Sequence, residues 1–129
     1  NYIVHIMEDK NETSVLGKYV KERREELARE DRKFSQRQVA MRVGIAPSYL
    51  SRLERGDKVS LSEAKIKVLA DELGEDSDVM LAMAGKVSSD LLEVIEKRPV
   101  LFASLIRQLK DMEDHMVLRI VREVRDGNW

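Results

Sequence analysis

The sequence predicts an all-α fold, on three observations. Apolar residues recur at intervals of three and four positions through most of the chain, which is the spacing of a single helix face. Residues that start helices alternate with glycines that stop them: Ser35 precedes Gly44, Pro47 precedes Gly56, and Ser62 precedes Gly74. No stretch alternates apolar with polar residues in the manner of a convincing strand.

The first helix is expected over about Val15 to Arg29, with Leu16, Tyr19, Val20, Arg23 or Arg24, and Leu27 on its inner side. The charged run from Ala28 to Lys33 contains no glycine, so it either extends that helix or forms a solvated loop, and Phe34 returns the chain to the core. Ser35 is a good helix cap, because its hydroxyl can accept from the amide of Gln38, and the Gln38 side chain supplies the other half of a capping box. Val39, Ala40 and Val43 give the next helix one buried stripe, and Gly44 stops it in a left-handed conformation that is cheap only without a β-carbon. Ile45 plugs the turn. Pro47 suits the first turn of a further helix, whereas Ala46 before it is a poor cap at a cost of about 1 kcal/mol. Leu50 and Leu53 anchor that helix, leaving Ser48, Tyr49, Ser51, Arg52 and Arg55 facing out before Gly56 ends it.

Residues 57–60 read as a loop, after which Ser62 caps a helix over about Glu63 to Leu73 with Ile66, Leu69, Ala70 and Leu73 inward. A fifth helix, about Ser77 to Ala84, carries Val79, Met80, Leu81 and Met83. Beyond Gly85 three more helices are expected: from Ser88 or Ser89 to Lys97, from Pro99 to about Lys110, and from about Glu113 to Arg125. Their apolar residues, such as Leu91, Ile95, Leu101, Phe102, Ile106, Val117 and Val121, exceed what three short helices can hide by themselves. They either fold back on the preceding helices or build a homodimer interface.

Composition bounds the function. A chain of 129 residues suits one domain with an appended segment. It has no cysteine, which excludes disulfides and thiolate metal sites and fits a reducing, cytoplasmic compartment. No apolar run approaches the length of a membrane span, and the opening Asn1 to Ile6 is too short for a signal peptide's apolar core and lacks a basic start. The first fourteen residues are expected to be disordered or peripheral, with Met7 an alternative native start. An enzyme finds little support: the two histidines, His5 and His115, lack metal-ligand spacing, and neither a Gly-rich phosphate loop nor a nucleophile elbow is present. No catalytic residue, metal or cofactor is therefore assigned. The net charge of −1 is unevenly spread, with fourteen Lys and Arg against ten Asp and Glu over residues 15–74, and eight against eleven over residues 75–129. The local excess of positive charge suits a polyanion, since phosphate contacts come from one surface.

The ungapped order of Ser35-Gln36, Val39-Ala40, Val43-Gly44-Ile45 and the run Leu50-Ser51-Arg52-Leu53-Glu54-Arg55-Gly56 resembles the Xre/Cro-like family of helix-turn-helix regulators, the phage-repressor fold, from about Leu16 to Leu73. The resemblance implies a five-helix repressor-like DNA-binding domain at residues 15–85; the helical C-terminal extension at 86–129, with its apolar excess, is the candidate dimerisation region. The helix from residue 46 to 55 would then lie in the major groove of double-stranded DNA with its early residues nearest the base edges, namely Ala46, Pro47, Ser48, Tyr49 and Arg52. Arg52 is the candidate reader of a guanine, Ser48 of a base or phosphate, and Ala46 and Pro47 of a thymine methyl. Tyr49 would pack over sugar or methyl groups, or else belong partly to the core.

By the same resemblance Gln36 would touch a phosphate and brace the recognition helix, with Arg37, Arg55 and Lys58 as further phosphate partners. Glu54 would pair structurally with an arginine of the first helix, Arg24 or, because the connection before Phe34 is longer than the family's usual one, Arg23. One such domain reads few base pairs, so a homodimer on a two-fold operator is implied, its half-sites about 34 Å apart. The expected function is a sequence-specific transcriptional repressor. The alternative is the DNA-binding antitoxin of a toxin–antitoxin pair, whose extension would grip a partner protein; methionines such as Met80, Met83, Met112 and Met116 are flexible enough to line an adaptable groove, or else simply fill the core.

Overall fold

Among residues 15–127, which the computed structural model describes, the chain forms eight α-helices and one 3-10 turn, with no strand. The expectations for residues 1–14 lie outside the described residues. Two compact units divide the chain, one up to Ser88 and one from Ser89.

The first unit contains α1 (Val15–Ala28), the 3-10 turn (Arg32–Phe34), α2 (Gln36–Val43), α3 (Pro47–Arg55), α4 (Glu63–Leu73) and α5 (Ser77–Met83). Its core follows the helical periodicity of the sequence. Leu16 and Val20 come from α1, Val39, Ala40 and Val43 from α2, Leu50 and Leu53 from α3, Ile66, Leu69, Ala70 and Leu73 from α4, and Met80 and Leu81 from α5. Leu61, in the connection before α4, is buried with them. Helix α2 packs on α3 and α4, α4 on α5, and α1 on α3, α4 and α5. Burying each large aliphatic side chain is worth about 1.5–3 kcal/mol, so this shared core is what fixes the short helices, none of which is long enough to be stable alone.

The run after α1 takes neither of the forms expected of it throughout. The helix stops at Ala28, and Asp31 then caps the 3-10 turn by accepting from the Lys33 amide at 3.0 Å. That turn also corrects the capping box. The Ser35 hydroxyl does accept from the Gln38 amide, but the Ser35 amide donates to the carbonyl of Arg32 at 3.1 Å, so a backbone acceptor takes the place proposed for the Gln38 side chain.

The first unit also ends later than expected. Lys86 donates its backbone amide to Leu81 and its ammonium to the carbonyl of Leu61, and Ser88 is buried. Residues 86–88 thus belong with the helices before them rather than with the extension.

Tyr19 on α1 donates its hydroxyl to Glu75 Oε2 at 2.6 Å, next to the ion pair of Arg23 with Glu75 Oε1 at 2.7 Å. The hydrogen bond to Glu75, then burial, pushes the Tyr19 phenol up from 10.0 to about 12. The folded state therefore binds this proton more tightly than the unfolded one, and the resulting stability is complete below pH 10 and lost as pH rises through about 12. Tyr19→Phe is expected to lower stability near neutral pH by about 1–2 kcal/mol, since a bond to a charged acceptor is lost from a part-buried site. Thermal melts of both proteins should converge across that alkaline window; a deficit that stays constant through it would refute the coupling.

The second unit contains α6 (Ser89–Lys97), α7 (Pro99–Lys110) and α8 (Asp114–Asp126), with α6 packed on α7. No residue of these three helices is buried. Ile95, Phe102, Leu109, Met112, Val117 and Ile120 are partly covered, whereas Val100 is 79% and Leu101 68% exposed. Among the described residues no helix is long and apolar enough to cross a membrane.

Candidate nucleic-acid interface

Two helix ends and one turn place α3. Gly44, at φ 83, ends α2, with the Gly44 amide donating to Met41 and the Ile45 amide to Ala40. Lys65 of α4 donates its ammonium to the carbonyl of Val43 at 3.2 Å, and a β-carbon at Gly44 would lie only 2.8 Å from that nitrogen. A side chain there would be strained by the left-handed backbone and would push the Lys65 ammonium off the end of α2. Ala46 gives no side-chain cap, and Pro47 opens α3 as the sequence predicts. Gly56, at φ 90, closes it with the paired bonds Gly56 to Leu53 and Asp57 to Arg52.

The inner side of α3 is locked by charge as well as by Leu50 and Leu53. Glu54, 3% exposed, accepts from Arg24 of α1 through both oxygens, Oε2 from Nε at 2.7 Å and Oε1 from Nη2 at 2.8 Å. Its Oε1 also accepts from Gln36 Nε2 at 3.0 Å, and Arg24 Nη1 donates to the carbonyl of Phe34 at 3.1 Å. Hydrogen bonding to Glu54 raises the Arg24 pKa above the ordinary arginine value despite desolvation. One carboxylate thus ties α1, the start of α2 and the end of α3 together. Arg23 is engaged elsewhere, with Glu75 and the carbonyl of Leu73, which leaves Arg24 as the partner of Glu54.

The outer side of α3 carries Ser48, Arg52 and Arg55, which share one face at helical spacing and are all exposed, together with exposed Ala46 and Pro47 at its start. Lys58 just beyond its end and Arg37 in the first turn of α2 are exposed as well. Tyr49 is different. Its ring is half-buried against the core and its hydroxyl donates to the carbonyl of Ser60, so it props the loop after α3. Gln36 likewise spends one amide hydrogen on Glu54, which makes it a brace of α3 before it is anything else.

Three features of this region are not in the sequence reading. Arg42 pairs with Glu72 of α4, donates to the carbonyl of Lys33 and lies over the Phe34 ring, so it ties α2 to α4 and to the turn before it. Lys65 caps α2 from α4. Asp57 sits beside the arginines of α3, with Oδ2 3.0 Å from Arg55 Nη2 and 3.7 Å from Arg52 Nε. Of these only Asp57 had a local signal: an acid directly after a helix-ending glycine is folded back over the last turn, where both arginines lie.

Residues 20–80 match the family model described as a helix-turn-helix, a span that holds both motif helices and most of the core around them. No curated protein and no solved structure matches the chain. The matched span contains α2, the Gly44 turn and α3, so residues 20–80 are similar to the helix-turn-helix domains of Xre/Cro-like DNA-binding regulators.

Proposed function

We propose that the protein is a sequence-specific transcriptional repressor that binds a two-fold operator as a homodimer, with α3 in the major groove. The observation that carries this reading is the division of α3 into a buried side, held by Leu50, Leu53 and Glu54, and an exposed side bearing Ser48, Arg52 and Arg55. A rigidly seated helix with a polar outer flank can enter a groove without rearranging its own domain. Arg52 then reads a base edge, since its planar fork matches the two acceptors of a guanine. Arg55, Lys58 and Arg37 contact phosphates, and Ser48 serves either role. Ala46 and Pro47 present apolar surface to a thymine methyl. A dimer seated across a promoter represses by excluding other proteins from it.

The reading is tested by recovering a preferred site from random duplex DNA and comparing the wild type with Arg52→Ala. The variant is expected to lose about 1–3 kcal/mol of discrimination at one base pair of each half-site while keeping its preference elsewhere. Equal weakening on every sequence would remove Arg52 from the base-reading set.

A further inference from the structure

We propose that Asp57 is a specificity-determining residue that suppresses binding to arbitrary DNA by occupying the arginines of α3. The proposal rests on α3 being the DNA-facing helix. Its carboxylate oxygen Oδ2 lies 3.0 Å from Arg55 Nη2 and 3.7 Å from Arg52 Nε, where a phosphate oxygen would otherwise be welcome. The three side chains are exposed, at 50% for Arg52, 64% for Arg55 and 44% for Asp57, so they meet in solvent on the outer flank and not in the core. Exposed pairs of this kind add little to stability. The position is also unfavourable for an acid, because the carbonyl end of α3 is itself partly negative. The carboxylate is nevertheless held in place by its own backbone, through the Asp57 amide on Arg52 and the Asp57 carbonyl on the Val59 amide.

Its effect on DNA follows from charge. One unit of the positive charge of Arg52 and Arg55 is cancelled before any phosphate arrives, and a phosphate that approaches must displace or repel the carboxylate. A sequence that satisfies Arg52 with base acceptors compensates for releasing it from Asp57, and arbitrary DNA does not. The ion pair therefore weakens non-specific contacts more than specific ones.

The test uses the full chain, with a mixed-sequence duplex and a duplex recovered by selection, each titrated across a range of salt. Asp57→Asn is expected to bind the mixed duplex about eightfold more tightly near 0.1 M salt and to steepen the salt slope by about one, the effect of one additional uncompensated cation. Affinity for the selected duplex should rise less, so the specificity ratio falls. Asp57→Glu, which keeps the charge, should retain the wild-type slope. A slope and mixed-duplex affinity unchanged in Asp57→Asn would overturn the proposal, as would a loss of affinity confined to the selected duplex, the mark of a residue that only preorganises Arg52. The double variant Arg52→Ala/Arg55→Ala separates the two levels. If it leaves DNA binding and slope untouched, the assignment of α3 to DNA fails; if it flattens the slope while Asp57→Asn does nothing, only the role of Asp57 fails.

Discussion

Glu54→Ala is expected to destabilise the first unit by about 3–5 kcal/mol, enough to leave it largely unfolded at moderate temperature. The cost comes from what remains behind. Arg24 is 7% exposed and would keep only the carbonyl of Phe34 as a partner, leaving an uncompensated buried charge, and the Gln36 amide would lose its acceptor. For a domain of this size, such a loss lowers the melting temperature by roughly 12 °C or more, which circular dichroism would detect directly. Replacing both partners with apolar residues, as in Arg24→Met combined with Glu54→Leu, should be less damaging than Glu54→Ala alone, because no charge is then stranded. The exposed pair of Lys67 with Glu63, at 3.2 Å, provides the contrast: Lys67→Ala should cost no more than about 0.5 kcal/mol. A Glu54→Ala protein that melts like Lys67→Ala would show that the buried cluster is not what seats α3.

The same cluster shows where sequence reasoning reaches and where it stops. Ser35, Gly44, Pro47, Gly56 and Ser62 were legible because each acts on backbone within a few residues of itself, and the structure places them at the ends of α2, α3 and α4. The Arg24 to Glu54 pair spans thirty positions and is invisible to any local rule; only the resemblance to a known motif suggested it. Tyr19 with Glu75 spans fifty-six, and no motif pointed to it. The 3-10 turn is not legible because its cap, Asp31, lies in a run of five consecutive charged residues, 29–33, and a carboxylate aimed at the backbone cannot be told there from one aimed at solvent. Leu61 was passed over for a comparable reason, being a single apolar residue between serines. The outer flank of α3 was readable as exposed because its inner residues were so regular. Asp57 carries only the signal of its place directly after Gly56; its pairing with Arg52 and Arg55 lies in a side-chain geometry that depends on Gly56 turning the chain back.

The apolar excess of the last three helices was legible from composition alone, and the structure keeps it open to solvent: Leu91, Leu92, Val94, Val100, Leu101, Leu105, Ile106, Leu118, Val121 and Val124 are all exposed. Among the described residues, every buried apolar side chain of the first unit lies within residues 16–81. Ending the chain after Ser88 is therefore expected to leave the first unit folded. A cut after Gly85 is less suitable, because it removes the Lys86 bond to Leu61 and the buried Ser88. If α6, α7 and α8 supply the dimer contact, the shortened protein should sediment as a monomer while the full chain sediments as a dimer. Its affinity for the selected operator should fall about 100-fold or more, since each half-site is then bound without the local concentration that linkage to a second copy provides. Affinity for mixed-sequence DNA should fall far less. A shortened protein that remains dimeric would move the self-association surface into the first unit. A full chain that is monomeric alone, but forms a stoichiometric complex with a co-expressed protein through residues 89–129, would instead assign those apolar faces to a different partner, as an antitoxin requires.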